Sequence, residues 1–503
     1  MKKSDTKISE PSEQQLSSLL KYYQTGLYKE AEKLSLSITK VFPNHQFAWK
    51  VLAIILKQTG RINESLIASQ KSVELNIHDA EAHNNLANTL LALGKIKDSE
   101  ISYRKAISLK PDYAKAHSNL GVILQEIGRL KEAEACHKKA IILKTDYAEA
   151  HYNLGVTLKE LGKLEETEEC YRQAITLKPD YVEAHNNLGV LLEELERLDE
   201  AEASYRKTIM INPNFAEAHS NLGVILNKRG LLEKAELSYR KAIILKPDFA
   251  NVHYNLGGLL IKLNKLEEAK VCLEKAMELK PNYSEAKHIF AALTGETTNS
   301  APREYIENLF NNYAINFDHS LVDKLEYKAP KKITEIILAK HQNIKLGSVL
   351  DLGCGTGLLG DEIRKYCSKL EGIDLSKAML EKAKTKNKYE KLKNIDIVEY
   401  LSTEDLNFNC FISTDVFVYI GELSEIFHLI KSRNKIKGKF IFSTEHTNKE
   451  GFILKKSGKY SHSKEYIESL CEKFDYKLSH FEKINLRKDK DKFIIGGLYF
   501  LDF

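Results

Sequence analysis

Six histidines, His83, His117, His151, His185, His219 and His253, recur at intervals of thirty-four residues, and the text around them recurs too. Ala82-His83-Asn84-Asn85-Leu86-Ala87, Ala116-His117-Ser118-Asn119-Leu120-Gly121 and Ala150-His151-Tyr152-Asn153-Leu154-Gly155 repeat one phrase. A period of this length rules out a single globular core over the stretch. Each unit is one supersecondary element that buries its apolar face only by stacking on the next. Within a unit the apolar pattern is helical twice. Leu120, Gly121 and Leu124 give one face, Gly128 and Leu130 the turn, and Ala133, His137, Ala140 and Leu143 the other face. Pro111, Pro179, Pro213, Pro247 and Pro281 then stop the second helix, because proline cannot continue one. Phased backward, Trp49, Leu52, Ala53 and Gly60 fit an earlier unit, and Gly26, Tyr28, Ala31 and Pro43 a degenerate first one. Eight units are expected from about Ser12 to Asn282, with a capping helix near Ser284–Leu293.

This pattern resembles the tetratricopeptide repeat, which implies an all-α solenoid. Small residues such as Gly121 are expected to let the first helix pack on the second helix of its own and the next unit. One column stands apart. Asn85, Asn119, Asn153, Asn187, Asn221 and Asn255 recur just before the packing leucine, although asparagine is a mediocre helix former. Either the side chains bond locally within each unit, or they form a ladder of amides able to pair with an extended peptide's backbone whatever its sequence. The wording Ala-His-x-Asn-Leu-Gly is similar to the repeats of O-linked N-acetylglucosamine transferases, and that resemblance implies the peptide-binding ladder. Ser17 and Val51 occupy the column in the first two units. The histidine column is read as helix–helix packing, since one imidazole per unit cannot converge on a metal ion.

The rhythm ends at Thr294-Gly295-Glu296-Thr297-Thr298-Asn299-Ser300-Ala301-Pro302, a run of turn formers. The expected organisation is a repeat array over 12–294, a linker over 295–302 and a second domain over 303–503. A chain of 503 residues is too long for one core in any case. With 75 basic against 70 acidic side chains, the charge of +5 does not mark a dedicated nucleic-acid binder. Seven cysteines without a Cys-x-x-Cys pair suggest free thiols in a reducing compartment. Met1-Lys2-Lys3-Ser4-Asp5 opens no apolar run, so no secretory signal or membrane span is expected, and a soluble cytoplasmic protein is.

The second domain turns on Ser348-Val349-Leu350-Asp351-Leu352-Gly353-Cys354-Gly355-Thr356-Gly357-Leu358-Leu359-Gly360. A short apolar run suited to a buried strand breaks into alternating glycines and resumes as a helix. Glycine lets such a turn bend sharply and lets a ligand touch the backbone. Gly355-x-Gly357-x-x-Gly360 formally meets the dinucleotide fingerprint. Asp351 argues against it, because a carboxylate at the strand end repels a pyrophosphate and suits a cationic ligand.

Asp351-x-Gly353-x-Gly355-x-Gly357 resembles the first motif of class I S-adenosylmethionine-dependent methyltransferases. The resemblance implies a Rossmann-like α/β domain with S-adenosylmethionine as cofactor. Leu370-Glu371-Gly372-Ile373-Asp374 reads as the second strand, and Asp374 is expected to bond the ribose hydroxyls. Ser376 opens the next helix, and of the lysines that follow, Lys377, Lys382, Lys384, Lys386, Lys388, Lys391 and Lys393, most read as a solvated face. Ile395-Asp396-Ile397 reads as the third strand end, with Asp396 toward the adenine, or Glu399 if the register slips. Cys410 to Asp415 reads as the fourth strand and Lys439 to Glu445 as the fifth, with two closing strands over about Tyr476–Asn485 and Phe493–Phe500. Upstream, Asn312-Tyr313-Ala314-x-x-Phe317-Asp318 looks like the family's cap segment, so Tyr313 and Phe317 are either core or a lid over the cofactor. Tyr419-Ile420-Gly421 with Ser457-Gly458-Lys459-Tyr460-Ser461-His462-Ser463 is similar to a bacterial group of predicted methyltransferases that carry tetratricopeptide repeats.

Methyl transfer is an in-line displacement, so alignment of nucleophile and methyl at about 3 Å matters most. A base is needed only if the acceptor carries a proton of high pKa. His462 and His446 are candidate bases, and Tyr419 and Asp415 candidate positioners; no metal-binding spacing is seen. The expected function is a methyltransferase whose array recruits a protein or peptide acceptor or partner, without membrane or nucleic acid. The alternative is an interaction scaffold with a catalytically weak cofactor domain. A nicotinamide enzyme is a weaker third reading.

Overall fold

The computed structural model describes residues 10–314, 317–340, 345–489 and 492–503. The polar start Met1-Lys2-Lys3-Ser4-Asp5 lies outside them. The chain divides into two compact units, one running to Gly230 and one from Leu231 to Phe503. The expected boundary at Thr294 to Pro302 therefore falls inside the second.

Helical hairpins fill the first unit. Glu13–Gln24 pairs with Tyr28–Val41, Ala114–Glu126 with Leu130–Leu143, and Val182–Glu194 with Leu198–Ile211. The second helix of a pair ends two residues before the proline position: Leu177 is the last helical residue, and Lys178, ahead of Pro179, is bent out of the helix at φ −138° and ψ 87°. The expected close packing is present. A Cβ built on Gly121 would lie 2.5 Å from the His137 ring, one on Gly155 2.7 Å from Tyr171, and one on Gly189 2.7 Å from Tyr205. Each glycine is the hole into which the partner helix sets a buried ring. The histidine column, expected to pack helix on helix, instead reaches back to the preceding turn. Nε2 of His117, His185 and His219 donates to the carbonyls of Pro111, Pro179 and Pro213, each at 3.0 Å. These bonds satisfy carbonyls that the previous helix end leaves open.

The second unit begins with Leu232–Leu245, the pair Ala250–Lys262 and Leu266–Leu279, and the single helix Ser284–Thr294. It continues into one nine-stranded sheet. Its strands are β1 (Gly347–Leu352), β2 (Cys367–Asp374), β3 (Lys391–Asn394), β4 (Cys410–Ser413), β5 (Lys439–His446), β6 (Phe452–Leu454), β7 (Tyr460–His462), β8 (Lys477–Asp489) and β9 (Lys492–Asp502). β3-β2-β1-β4-β5 run parallel, β9 lies antiparallel on β5, and β8 antiparallel on β9. Alternation along the strands divides the core between two faces. Leu350, Phe411, Phe440, Phe442 and Tyr499 face one side, with the helices Ser424–Arg433 and Lys464–Phe474. Val349, Ile412, Ile441 and Phe500 face the other, with Ala329–Lys340 and Leu358–Ile363.

Two expectations change. The third strand ends at Asn394, so Asp396 does not finish a strand but caps the helix Ile397–Thr403, accepting from the amides of Val398 and Glu399. The hairpin β6–β7, three residues a side, carries the segment Lys455 to Lys459 at its tip and was not foreseen. Among the described residues no helix is long and apolar enough to cross a membrane.

Candidate functional site

Strand order reverses between β1 and β4, and the crevice beyond their carboxyl ends is where open α/β sheets take ligands. The glycine loop sits there. Gly353, Gly355 and Gly357 have φ of 81°, 52° and 85°, a region glycine enters without steric cost. At Gly353 space is short as well: a Cβ would lie 2.4 Å from Val416. At Gly355 it would meet only Phe317, at 4.0 Å, so this backbone stays open to a ligand.

Three carboxylates surround the loop. Asp351 is wholly enclosed beneath it. One of its oxygens accepts from the Tyr389 hydroxyl at 2.7 Å, and the other has no partner. Burial, aided by the charge of Asp374, pushes this carboxyl up to about 7. Asp374, at the end of β2, accepts from the Gly355 amide at 2.9 Å through one oxygen and from the Ser376 amide at 2.8 Å through the other. Burial lifts it to about 6 against those two bonds. Each oxygen keeps a lone pair, and two backbone donors hold the fork. Asp318 accepts from the Thr356 hydroxyl and from Lys386 at 2.9 Å. The Gly355 amide, which a pyrophosphate would need, is thus already taken by a carboxylate. The orphaned oxygen of Asp351 and the open backbone at Gly355 fit a ligand with a cationic group, as S-adenosylmethionine has.

A cap lies over this crevice. In the helix Arg303–Tyr313, the Asn311 side chain accepts from the Ser376 hydroxyl at 2.7 Å. The Phe310 ring sits 6.0 Å from Phe317 and 5.3 Å from Tyr419. Tyr313 is 55% exposed at the helix end, so of the two expected lid aromatics it is Phe317 that reaches the loop. Tyr389 and Asn311 were not foreseen; Asp318 was read only as part of the cap wording, and Lys386, read with a solvated face, is instead paired with Asp318 and Asp361. Tyr389 is the hub: its ring would collide with a Cβ at Gly360, 2.7 Å away, and its hydroxyl accepts from the Gly360 amide at 3.2 Å. The third glycine of the formal dinucleotide fingerprint therefore serves packing.

A second polar cluster lies past β4. Asp415 has φ of 59°, strained for a residue with a side chain, as residues at functional sites often are. It is ion-paired to Arg487, whose other guanidinium nitrogen pairs with Glu445. Glu445 is also held by Lys455 at 2.9 Å. The register of β8 shifts between Asn485 and Arg487, so both Leu486 and Arg487 turn inward. Tyr419 is 7% exposed, and the ammonium of Lys459 stands 5.8 Å over its ring.

The two candidate bases are not in this cluster. His462 is fully buried, its Nε2 donates to the Gly421 carbonyl at 2.9 Å, and burial lowers it to about 4. It is a neutral tie rather than a poised base. His446 follows Glu445 on β5, so it projects to the opposite face of the sheet, where its ring lies 6.2 Å from Phe481.

Residues 295–302, read as a linker, are bonded along the site. The Asn299 carbonyl accepts from the amides of Gly421 and Glu422 at 2.8 and 2.9 Å, and the Ala301 amide donates to the Tyr419 carbonyl at 2.9 Å. His288, in the helix before, donates to the Gly458 carbonyl at 2.9 Å. In the array, the asparagine column bonds between units: Asn119 donates to Asn84 at 3.2 Å, Asn153 to Ser118 at 3.4 Å, Asn187 to Tyr152 at 3.0 Å and Asn221 to Asn186 at 3.3 Å. These side chains, with Asn85 and Asn255, are half-buried.

Comparison with known proteins gives each half a family. A methyltransferase-domain model matches residues 344–494. Tetratricopeptide-repeat models match 148–181, 182–215, 216–249 and 250–283, and others 90–128 and 114–145. The chain is 30% identical to a malonyl-[acyl-carrier protein] O-methyltransferase of Ilyobacter polytropus, over 29% of this chain and 52% of that protein. It is 26% identical to a ubiquinone biosynthesis O-methyltransferase of Coxiella burnetii, over 21% of this chain and 46% of that one. The chain thus spans about half the length of the curated relatives it matches. Among solved structures it is similar to YrrB, a TPR protein with an unusual peptide-binding site, at 25% identity over 37% of this chain and 96% of that one, with a TM-score of 0.33. The chain carries tetratricopeptide repeats followed by a methyltransferase domain.

Proposed function

We propose that the protein is an S-adenosylmethionine-dependent methyltransferase, with residues 303–503 as its catalytic domain, whose repeats recruit a protein or peptide that is, or carries, the acceptor. The cofactor would lie on Gly353, Gly355 and Gly357, with Asp351 toward its ammonium group, Asp374 toward the ribose, Asp396 beside the adenine and Tyr313 at the rim. When bound it would supply a methyl group already activated as a sulfonium. Asp415 and Tyr419 then border the acceptor. The observation that carries this reading is the enclosed Asp351 with one unpartnered oxygen, in a loop whose Gly355 amide is occupied by Asp374. Both features favour a cation over a phosphate. The named relatives are O-methyltransferases, which favours an oxygen acceptor.

The repeats favour a protein ligand, with the asparagine column as its backbone contact. Its bonds from unit to unit also allow a purely structural role. The seven cysteines are free, as suits a reducing cytoplasmic compartment. Calorimetry with S-adenosylhomocysteine on the full chain tests the cofactor: the wild type binds and Asp374→Ala does not. No binding by the wild type defeats the proposal, and cofactor binding without methyl incorporation into any cell extract favours the scaffold alternative.

A further inference from the structure

Among the described residues, Lys459 is the one cation of the cluster past β4 without an ion pair to a carboxylate. Arg487 is spent on Asp415 and Glu445, and Lys455 on the second oxygen of Glu445. Among the described residues the Lys459 ammonium has no ion pair; it stands over the Tyr419 ring, repelled by Arg487 and attracted without direct contact by Asp415 and Glu445. Asp489 also acts on it, but that side chain is exposed and its effect is the weakest of those acting on the lysine. Three cations therefore stand against two enclosed carboxylates. Burial lowers the Lys459 pKa, against the attraction of Asp415 and Glu445.

The place of this surplus charge matters. An aromatic wall runs from the glycine loop to it: Phe317 against Gly355, Phe310 beside Phe317, Tyr419 beside Phe310, and Lys459 over Tyr419. The lysine thus closes the far end of the acceptor side of the crevice. At the same time His462 is tied to the Gly421 carbonyl and His446 projects to the other face of the sheet, so neither of these two imidazoles is placed to take a proton from a hydroxyl.

We infer that the methyl acceptor is a carboxylate, drawn to and oriented by the Lys459 ammonium above Tyr419. This inference rests on the methyltransferase reading above and narrows it to one substrate class. A carboxylate carries no proton to remove. One of its oxygens donates a lone pair to the methyl carbon, the new O–C bond forms as the S–C bond breaks, and that bonding pair stays on sulfur. The negative charge of the carboxylate and the positive charge of the sulfonium disappear together, so neither base nor co-reactant is needed. Lys459 holds the other carboxylate oxygen, and Arg487 keeps Asp415 and Glu445 from repelling the substrate.

Two measurements on the full chain decide it. In the first, protein saturated with S-adenosylhomocysteine is titrated with the malonyl and acetyl thioesters of N-acetylcysteamine, which differ by the free carboxylate. The malonyl probe should bind about tenfold or more tighter, Lys459→Met should erase that difference while leaving S-adenosylhomocysteine affinity within twofold, and Lys459→Arg should keep most of it. Equal affinity for the two probes, or a preference that survives Lys459→Met, overturns the inference. In the second, labelled methyl groups are transferred into an extract from cells lacking the protein, and the product is held at about pH 10. A carboxyl methyl ester releases its label as methanol, whereas ethers and methylamines keep it. Incorporated label that resists base overturns the carboxylate but leaves the methyltransferase intact. Failure to bind S-adenosylhomocysteine overturns both.

Discussion

At the scale of single residues, the enclosed Asp351 has consequences that can be measured apart from catalysis. The folded protein holds a proton on this carboxyl up to about pH 7, whereas the unfolded chain releases it near the usual carboxylate value of 3.8. Between those values the folded state binds more protons, so this group's contribution to stability falls as pH rises from about 4 to 7. Asp351→Asn lacks that term. At pH 7, without ligand, it should be more stable than wild type by on the order of 2 kcal/mol, read by denaturant unfolding, while its affinity for S-adenosylmethionine drops about tenfold or more. A cationic ligand favours the ionised carboxylate. Binding should therefore tighten from pH 6 to pH 8 and release protons near neutrality, visible as a buffer-dependent calorimetric heat.

The glycine loop, Asp351 and Asp374 were legible because their chemistry is local: spacing along a strand–turn–helix fixes them. Tyr389, Asn311, Asp318, Lys459 and Arg487 were not. They reach the site through the sheet order, a cap helix, a three-residue hairpin and a shift of register, none of which leaves a periodic trace. The settings of His462 and His446 were not legible for the same reason, since burial and strand alternation, invisible in one dimension, decide which way a side chain faces.

At the scale of elements, the repeat hairpins are held by rings set into glycine holes. Gly189→Ala would bring a methyl group 2.7 Å from Tyr205, and the crowding should cost about 1–3 kcal/mol. Hydrogen exchange should show faster opening centred on Val182–Glu194 and Leu198–Ile211. The double variant Gly189→Ala/Tyr205→Phe gives no relief, because the ring itself is the obstacle, whereas Tyr205→Leu should recover part of the loss. The helices and most strands could be drawn from the sequence within a few residues, because 3.6-residue and two-residue periods are strong over long elements. The short elements escaped: β6 and β7 are three residues each, and β3 ended before the acid that seemed to finish it. In the site loop, Gly353→Ala must accommodate both φ of 81° and a contact of 2.4 Å with Val416. It should weaken S-adenosylhomocysteine binding by about tenfold or more with little change in overall helix content by circular dichroism.

At the scale of the whole molecule, the two families were legible in the sequence, whereas the bonding of the segment between them was not. Turn formers at 295–302 read as a short linker, and their backbone is spent on Tyr419, Gly421 and Glu422, while His288 is tied to Gly458. At about 1 kcal/mol per bond these ties are worth a few kcal/mol to the loop that carries Tyr419. A chain beginning at Arg303 should consequently melt several degrees below the corresponding transition of the full protein, and His288→Ala should show a smaller shift of the same sign. An evolving gene could therefore not exchange its repeats cleanly at residue 303. The smallest piece that can be transplanted with its packing intact begins upstream of His288, and any hybrid joined later than that inherits a frayed pocket along with its new repeats.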